Sequence, residues 1–101
     1  MAVVEISVVP IGTPATGLSE YVAGCLSVLK EAQGITYQLT PMGTILEGEL
    51  DRVLEVARRM HEQPFGKGIK RVVTTINIDD RRDRELTMAG KVAAVKARLG
   101  E

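Results

Sequence analysis

Apolar and polar residues alternate in several segments of the chain, which is the pattern of half-buried β-strands. In residues 2–9, Val4, Ile6 and Val8 share one face. Residues 69–78 alternate in the same way. The pattern predicts that both segments are strands with one apolar face and one mixed face.

Two shorter strand-like segments flank a Pro-Met-Gly corner at residues 41–43. Proline fixes φ and has no N–H, and glycine tolerates positive φ, so the corner predicts a tight reversal. Residues 36–48 are therefore predicted to form a β-hairpin in which Tyr37 and Leu39 project to one side. The polar side of that strand carries Thr36, Gln38 and Thr40.

Three segments repeat apolar residues at helical spacing. The predicted helices span residues 19–33 and 49–62, and a third begins after Thr87, whose hydroxyl suits an N-cap. Gly34 fits the left-handed position that commonly ends a helix. The last helix is expected to bury one apolar stripe, formed by Met88, Val92, Val95 and Leu99.

The resulting order, βαββαβα, predicts an α+β fold. Two βαβ units with right-handed crossovers give a ferredoxin-like βαββαβ sandwich, in which a four-stranded antiparallel sheet carries both crossover helices on one face. A further helix follows at the C-terminus. A chain of 101 residues with 45% hydrophobic content suits a single domain, residues 1–101.

The sheet face opposite the crossover helices is expected to be mixed in character. Its residues are Val3, Glu5, Ser7 and Val9 of the first strand, and Arg71, Val73, Thr75 and Asn77 of the last. Such a face is too apolar for water and too polar for a core. A partner sheet is its expected cover, so the sequence predicts a homo-oligomer built on a two-fold axis.

Composition narrows the possible partners. Thirteen basic and thirteen acidic residues balance, and the chain has no Trp, which argues against a nucleic-acid partner. No stretch reaches the roughly 18–20 apolar residues of a membrane span, and no signal-peptide pattern begins the chain. A lone cysteine, Cys25, agrees with a reducing compartment. We therefore expect a cytoplasmic protein without a membrane partner.

Enzyme and metal motifs are not evident in the sequence. His61 has no Cys, Asp or Glu at metal-ligand spacing and is interpreted as a surface residue, and Cys25 is interpreted as inert packing. There is no phosphate-binding loop and no nucleophile elbow. The sequence therefore predicts no catalytic residue, no metal ligand and no cofactor.

The charged run Asp-Asp-Arg-Arg-Asp at residues 79–83 has two interpretations. It can be a solvated turn with internal ion pairs, each worth little. Alternatively, Arg81 binds a phosphate or carboxylate in a bidentate manner, while Asp79 or Asp80 accepts from a cationic ligand.

The hairpin is similarly open to two interpretations. Glu47 and the hydroxyls near the corner could hold a small polar ligand, or the hairpin could be a plain half-exposed strand pair.

Several motifs of the chain resemble those of the small thiamine-binding proteins, single-domain relatives of two-repeat proteins that bind thiamine and its hydroxymethylpyrimidine portion. The matching segments are residues 5–13, 37–44 with Glu47-Gly48, 71–74, 79–83 and Lys91-Val92. The chain departs from the family pattern at Gly90 and Ala94, where a glutamate and a serine are usual. A contact made by the last helix in the family is therefore in question here.

The resemblance implies a ferredoxin-like subunit, a tetramer made from two dimers whose sheets face one another, and binding of thiamine or hydroxymethylpyrimidine without turnover. In this interpretation Glu47 supplies the carboxylate and Tyr37 the stacking ring. The other expected ligand-binding residues are Ser7, Thr13, Thr44, Asn77, Asp79 and Arg81. Two alternatives are a small enzyme acting on a heteroaromatic substrate, with Glu47 or Asp79 as general base, and a structural or regulatory module without a ligand.

Overall fold

Four antiparallel strands form one sheet, and two helices cover one of its faces. The computed structural model describes residues 1–13 and 19–100. The elements are β1 (Ala2–Ile11), α1 (Ser19–Glu31), β2 (Thr36–Thr40), β3 (Gly43–Gly48), α2 (Leu50–Glu62), a 3₁₀ turn (Gln63–Lys67), β4 (Arg71–Asp80) and α3 (Met88–Leu99). The strand order is β2-β3-β1-β4. This architecture confirms the predicted ferredoxin-like α+β fold, with the additional C-terminal helix.

The hydrophobic core lies between the sheet and the two crossover helices. Val4 and Ile6 of β1 and Leu46 of β3 are almost fully buried on this side. They pack with residues of α1 and α2, among them Val28, Leu29, Val53, Val56 and Met60. Burying each of these side chains contributes roughly 1.5–3 kcal/mol. The alternation read from the sequence therefore assigns the apolar face of β1 correctly.

The paired register extends β4 beyond its predicted end. Asp79 lies opposite Val3, and Asp80 lies opposite Ala2. The strand predicted to end at residue 78 therefore continues to Asp80. Pairing with β1 extends the strand here, although acidic residues are poor strand formers.

The apolar stripe of α3 is exposed, contrary to the sequence-based expectation. Val92, Val95 and Leu99 are 54%, 58% and 67% exposed, and only Met88 is half-buried. The N-cap prediction is confirmed, because Thr87 Oγ1 accepts from the Gly90 N–H at 2.9 Å. Helical periodicity identified the stripe, but periodicity does not say what covers it.

Among the described helices, none is long and apolar enough to cross a membrane.

Candidate functional site

The open face of the sheet, which we define as the face away from α1 and α2, carries rows of polar side chains. Strand register places side chains from all four strands side by side on this face. One row is Thr36, Glu47, Val3 and Asp79, and the next is Gln38, Ile45, Glu5 and Asn77. The mixed face predicted for β1 and β4 is thereby confirmed.

An open groove of about 480 Å³ lies between this face and α3. Its volume falls within the roughly 300–1,000 Å³ typical of small-molecule sites. The sheet contributes Val3, Glu5, Gln38, Ile45, Asn77, Ile78 and Asp79, and α3 contributes Met88, Lys91 and Val92. Apolar and hydrogen-bonding groups therefore meet in one concave surface.

Two hydrogen bonds fix polar groups that line the groove. Asn77 Nδ2 donates to Glu5 Oε1 at 3.3 Å across the β1–β4 pair. Lys91 Nζ donates to Asp79 Oδ2 at 2.5 Å, which joins α3 to the end of β4. The orientations of both carboxylates are thus set by neighbouring donors before any ligand arrives.

Glu47 is a buried carboxylate beside the groove. It is only 9% exposed, and it makes no hydrogen bond or ion pair within residues 1–13 and 19–100. Its neighbours Val3, across the pair with β1, and Ile45, two residues along β3, both line the groove. Among the described residues no fully buried side-chain oxygen lacks a hydrogen-bond partner, so the Glu47 carboxylate oxygens keep access to solvent. A donor or a cation bound in the groove can take the place of that water.

Close packing at Gly48, the residue that follows Glu47, restrains the end of β3 against Ile35 and Gly34. A Cβ at Gly48 would lie 2.8 Å from Ile35 Cδ1 and 3.0 Å from the Gly34 carbonyl oxygen. The terminal methyl of Ile35 and the Gly34 carbonyl would have to shift to admit a side chain, so glycine is the residue that fits without adjustment. Gly34 has φ of 76°, the predicted left-handed conformation, although α1 ends at Glu31 and not at the predicted residue 33. This packing constrains the backbone next to Glu47 at the end of β3.

Acidic groups outnumber basic ones at the groove. Glu5 and Asp79 line it and Glu47 stands beside it, while Lys91 is the one basic residue among its described lining residues. Because a partly buried site screens charges less than water does, this imbalance favours a positively charged ligand.

The structure gathers four of the predicted ligand-binding residues on the open face and separates the others. Glu47, Asn77 and Asp79 share that face with Ser7, which lies outside the groove lining. Ser7 instead borders a hollow at the hairpin corner, as Thr44 does. Tyr37 and Thr44 do not lie on the open face, because they pair with Leu46 and Ile6 of the core side.

The predicted single cavity around the hairpin corner is therefore wrong. Thr44 and Glu47 are three residues apart on one strand and so point to opposite faces. The corner does border a hollow of about 590 Å³ on the core side, but Glu47 is not among its lining residues. That hollow is lined mainly by apolar side chains, including Val22, Leu26 and Leu39.

Thr13 and Arg81 also lie outside the groove. Thr13 follows β1 at the end where Ile11 pairs with Arg71, the opposite end of β4 from Asp79. Arg81 is bound to Asp83 through Nε–Oδ1 at 2.5 Å and Nη2–Oδ2 at 2.8 Å. These bonds lower the pKa of Asp83 from 3.8 to about 2.

The charged run at residues 79–83 thus matches the ion-paired turn. Arg82 Nη2 also binds Asp80 Oδ2 at 2.9 Å, so two arginines of the run have carboxylate partners within it. Asp79 is the exception, because its partner is Lys91 of α3. Only this residue of the run lines the groove.

Sequence reasoning did not select Glu5, Gln38 and Lys91 as site residues, although all three line the groove. Strand alternation already placed Glu5 and Gln38 on the open face, so pairing that alternation with the strand order would have found both. Nothing local links Lys91 to Asp79, because the contact joins a helix to a strand twelve residues away.

Two residues interpreted as chemically inert have defined contacts. Cys25 is buried as predicted; its thiol donates to the Met60 carbonyl oxygen, and burial raises its pKa. His61 is half-buried rather than a surface residue, with Nδ1 2.6 Å from Thr74 Oγ1 and its ring edge-on to Phe65. Both lie on the core side of the sheet, away from the groove.

Comparison with known proteins finds similarity over nearly the whole chain. A family model described as "Thiamine-binding protein" matches residues 4–96. The UPF0045 protein encoded in the glkA 3′ region of Staphylococcus xylosus is 49% identical over 100% of this chain and 97% of its own length. A crystal structure of a hypothetical protein from Methanocaldococcus jannaschii superposes with a TM-score of 0.83 at 33% identity, covering 93% of this chain and 94% of that one.

Another solved structure shares the fold at lower identity. It is that of a Thermotoga maritima protein provisionally assigned to thiamine biosynthesis or salvage, and it superposes with a TM-score of 0.76 at 23% identity. The match covers 93% of this chain and 97% of that one.

Proposed function

The chain belongs to the thiamine-binding protein family, and we propose that it binds thiamine or a related pyrimidine in the groove between the open face and α3, without converting it. The observation that carries this proposal is the Glu47 carboxylate beside the groove: the residue is only 9% exposed and has no hydrogen bond or ion pair with the described residues, while its oxygens keep access to solvent. A ligand that supplies both a donor and a positive charge would satisfy it.

Thiamine has the chemistry that this groove requires. Its aminopyrimidine offers an amino donor, and its thiazolium is a permanent cation. Glu47 accepts from the amino group or offsets the positive charge, and the Glu5 and Asp79 carboxylates add to the attraction. Asn77 and Gln38 supply amide donors and acceptors for the ring nitrogens.

Aliphatic and thioether groups, rather than Tyr37, supply the contact with the ligand rings. Val3 and Ile45 form an apolar part of the groove floor, and Met88 faces them from α3. A methionine sulfur makes favourable contacts with aromatic rings, worth about 0.3–1.5 kcal/mol each. Tyr37, on the opposite face, makes no contribution in this account.

The binding unit is a homo-oligomer, which we propose to be a tetramer made of two dimers. Its support is the apolar surface left uncovered in one chain, on both α3 and the open face. Val95 and Leu99 are more than half exposed, and Val73 of the open face is 47% exposed. A second copy would bury this surface and narrow the groove. The lone cysteine, Cys25, agrees with the cytoplasm as the location.

A catalytic role is the second candidate, and the same carboxylate favours it. Glu47, which has no partner among the described residues, could act as a general base toward a heteroaromatic substrate. The Glu5 and Asp79 carboxylates already accept hydrogen bonds from Asn77 and Lys91. This arrangement suits ligand binding better than proton transfer.

Calorimetric titration with thiamine and with hydroxymethylpyrimidine, followed by chromatography of the recovered ligand, separates the candidates. Saturable binding with unchanged ligand is the result that we expect. Recovery of a converted product would replace the binding function with an enzymatic one. No heat and no binding for either compound would leave a structural module.

A further inference from the structure

The charges around the groove carry an inference about which form of the ligand is accepted. Glu5, Asp79 and Glu47 place three carboxylates in two adjacent rows of the open face. Their one basic neighbour in the groove lining, Lys91, is already bound to Asp79 at 2.5 Å. A phosphate entering the groove would therefore meet more negative than positive charge.

The neighbouring arginines do not supply a ready phosphate site. A hollow lined by Arg81, Arg82 and Arg84 adjoins the end of β4. Arg81 holds Asp83 through two nitrogens, and Arg82 holds Asp80. A phosphate could gain either guanidinium only by displacing a carboxylate that already satisfies it.

The third arginine is balanced by acidic neighbours. Arg84 makes no ion pair within the described residues, but Glu49 and Glu85 line the same hollow. Asp80 lines it as well. The hollow thus contains as many carboxylates as guanidinium groups.

A second hollow shares Asp79 and Lys91 with the groove and is also lined by Arg81, Arg84 and Glu85. Because Arg81 and Lys91 are already bound to carboxylates and Glu85 lies in the same lining as Arg84, neither hollow offsets the negative charge of the groove.

We infer that the groove selects the unphosphorylated cation and rejects its phosphate esters. A phosphate monoester adds about −1.5 to −2 charge at neutral pH. That charge would face Glu5, Glu47 and Asp79 across a site that water screens only partly. The inference rests on the proposed function and adds to it the charge class of the ligand.

The test compares thiamine with thiamine monophosphate in titrations of the wild-type protein at low salt. We expect the monophosphate to bind at least ~10-fold more weakly than thiamine. In Glu5→Gln, the ratio of the monophosphate dissociation constant to the thiamine dissociation constant should fall, because one repelling carboxylate is removed and the shape of the side chain is kept. Glu55→Gln, which changes an exposed carboxylate of α2, should keep the wild-type ratio.

The salt dependence of this ratio is a second measurement. If the monophosphate were excluded by shape alone, the ratio of its dissociation constant to that of thiamine would not change with ionic strength. Raising the ionic strength from about 0.05 M to about 0.5 M shortens the screening length and should reduce the ratio. Equal or tighter binding of the monophosphate in the wild type overturns the charge selection while leaving the proposed function intact. A ratio unchanged in Glu5→Gln and unchanged by salt also overturns it. Failure of both compounds to bind overturns the proposed function itself.

Discussion

Lys91 of α3 donates to Asp79 of β4 at 2.5 Å, and this pair joins the last helix to the rim of the groove. Both side chains are about half exposed, at 48% and 50%. An ion pair of this kind contributes roughly 0.2–1 kcal/mol. It joins α3 to the sheet at a place where the apolar stripe of that helix is largely exposed within the described chain.

Removal of the Lys91 ammonium should loosen α3 without unfolding the domain. For Lys91→Gln we expect faster amide hydrogen exchange across residues 88–99, while exchange in β1 and β3 stays as in the wild type. Lys96→Gln is the matched control, because Lys96 is a lysine of the same helix without an ion-pair partner among the described residues. Unchanged exchange in α3 of Lys91→Gln would mean that the pair does not hold the helix.

Within the hairpin, β3 should contribute more to stability than β2, because β3 is mostly buried and β2 is mostly exposed. Leu46→Ala removes a fully buried side chain and should lower the free energy of unfolding by about 2–5 kcal/mol. Leu39→Ala, on the neighbouring strand but 54% exposed, should lower it by less than about 1.5 kcal/mol. Urea denaturation of both variants measures the difference. Equal losses would contradict the placement of the core over β1 and β3 rather than over β2.

The exposed stripe of α3 should be part of an interface between copies of the chain. Leu99→Lys places a charge in that stripe, so we expect a smaller particle mass at micromolar concentration by light scattering. Ala97→Lys alters a different exposed position of the helix and should leave the mass unchanged. A monomeric wild type, or an unchanged mass in Leu99→Lys, would remove α3 from the proposed interface.

The Arg81–Asp83 pair should be visible as a depressed carboxyl pKa. Because the folded pKa of Asp83, about 2, lies below its ordinary value of 3.8, the pair stabilises the fold above that ordinary value. This stabilisation is lost as the pH falls from about 4 to about 2. Carboxyl NMR titration should give about 2 for the wild type and a value near 3.8 for Arg81→Gln. A wild-type pKa close to 3.8 would mean that the pair does not persist in solution.

The sequence predicted the strands, the hairpin and the covered face because their signals are local. The alternation of Val4 and Ile6 determines which side of β1 meets the helices, and the corner at residues 41–43 fixes the reversal. The ferredoxin-like order follows from the elements through the handedness of their crossovers. These features need no knowledge of distant contacts.

The candidate site was predicted less well, and for two different reasons. The family resemblance assigns both Tyr37 and Glu47 to the ligand, although strand alternation and register place them on opposite faces of the sheet. The pairing of Lys91 with Asp79 and the exposure of Val95 depend on where α3 lies, which no local pattern encodes.

Titration of Glu47→Gln with thiamine is the sharpest test of whether the Glu47 charge binds the ligand, because the substitution keeps the shape of the side chain and removes its charge. We expect a dissociation constant at least ~10-fold higher than that of the wild type, which corresponds to about 1.4 kcal/mol of binding free energy. Glu62→Gln, an exposed carboxylate at the end of α2, should bind as the wild type does. Wild-type affinity in Glu47→Gln would mean that the charge of Glu47 does not contribute to thiamine binding.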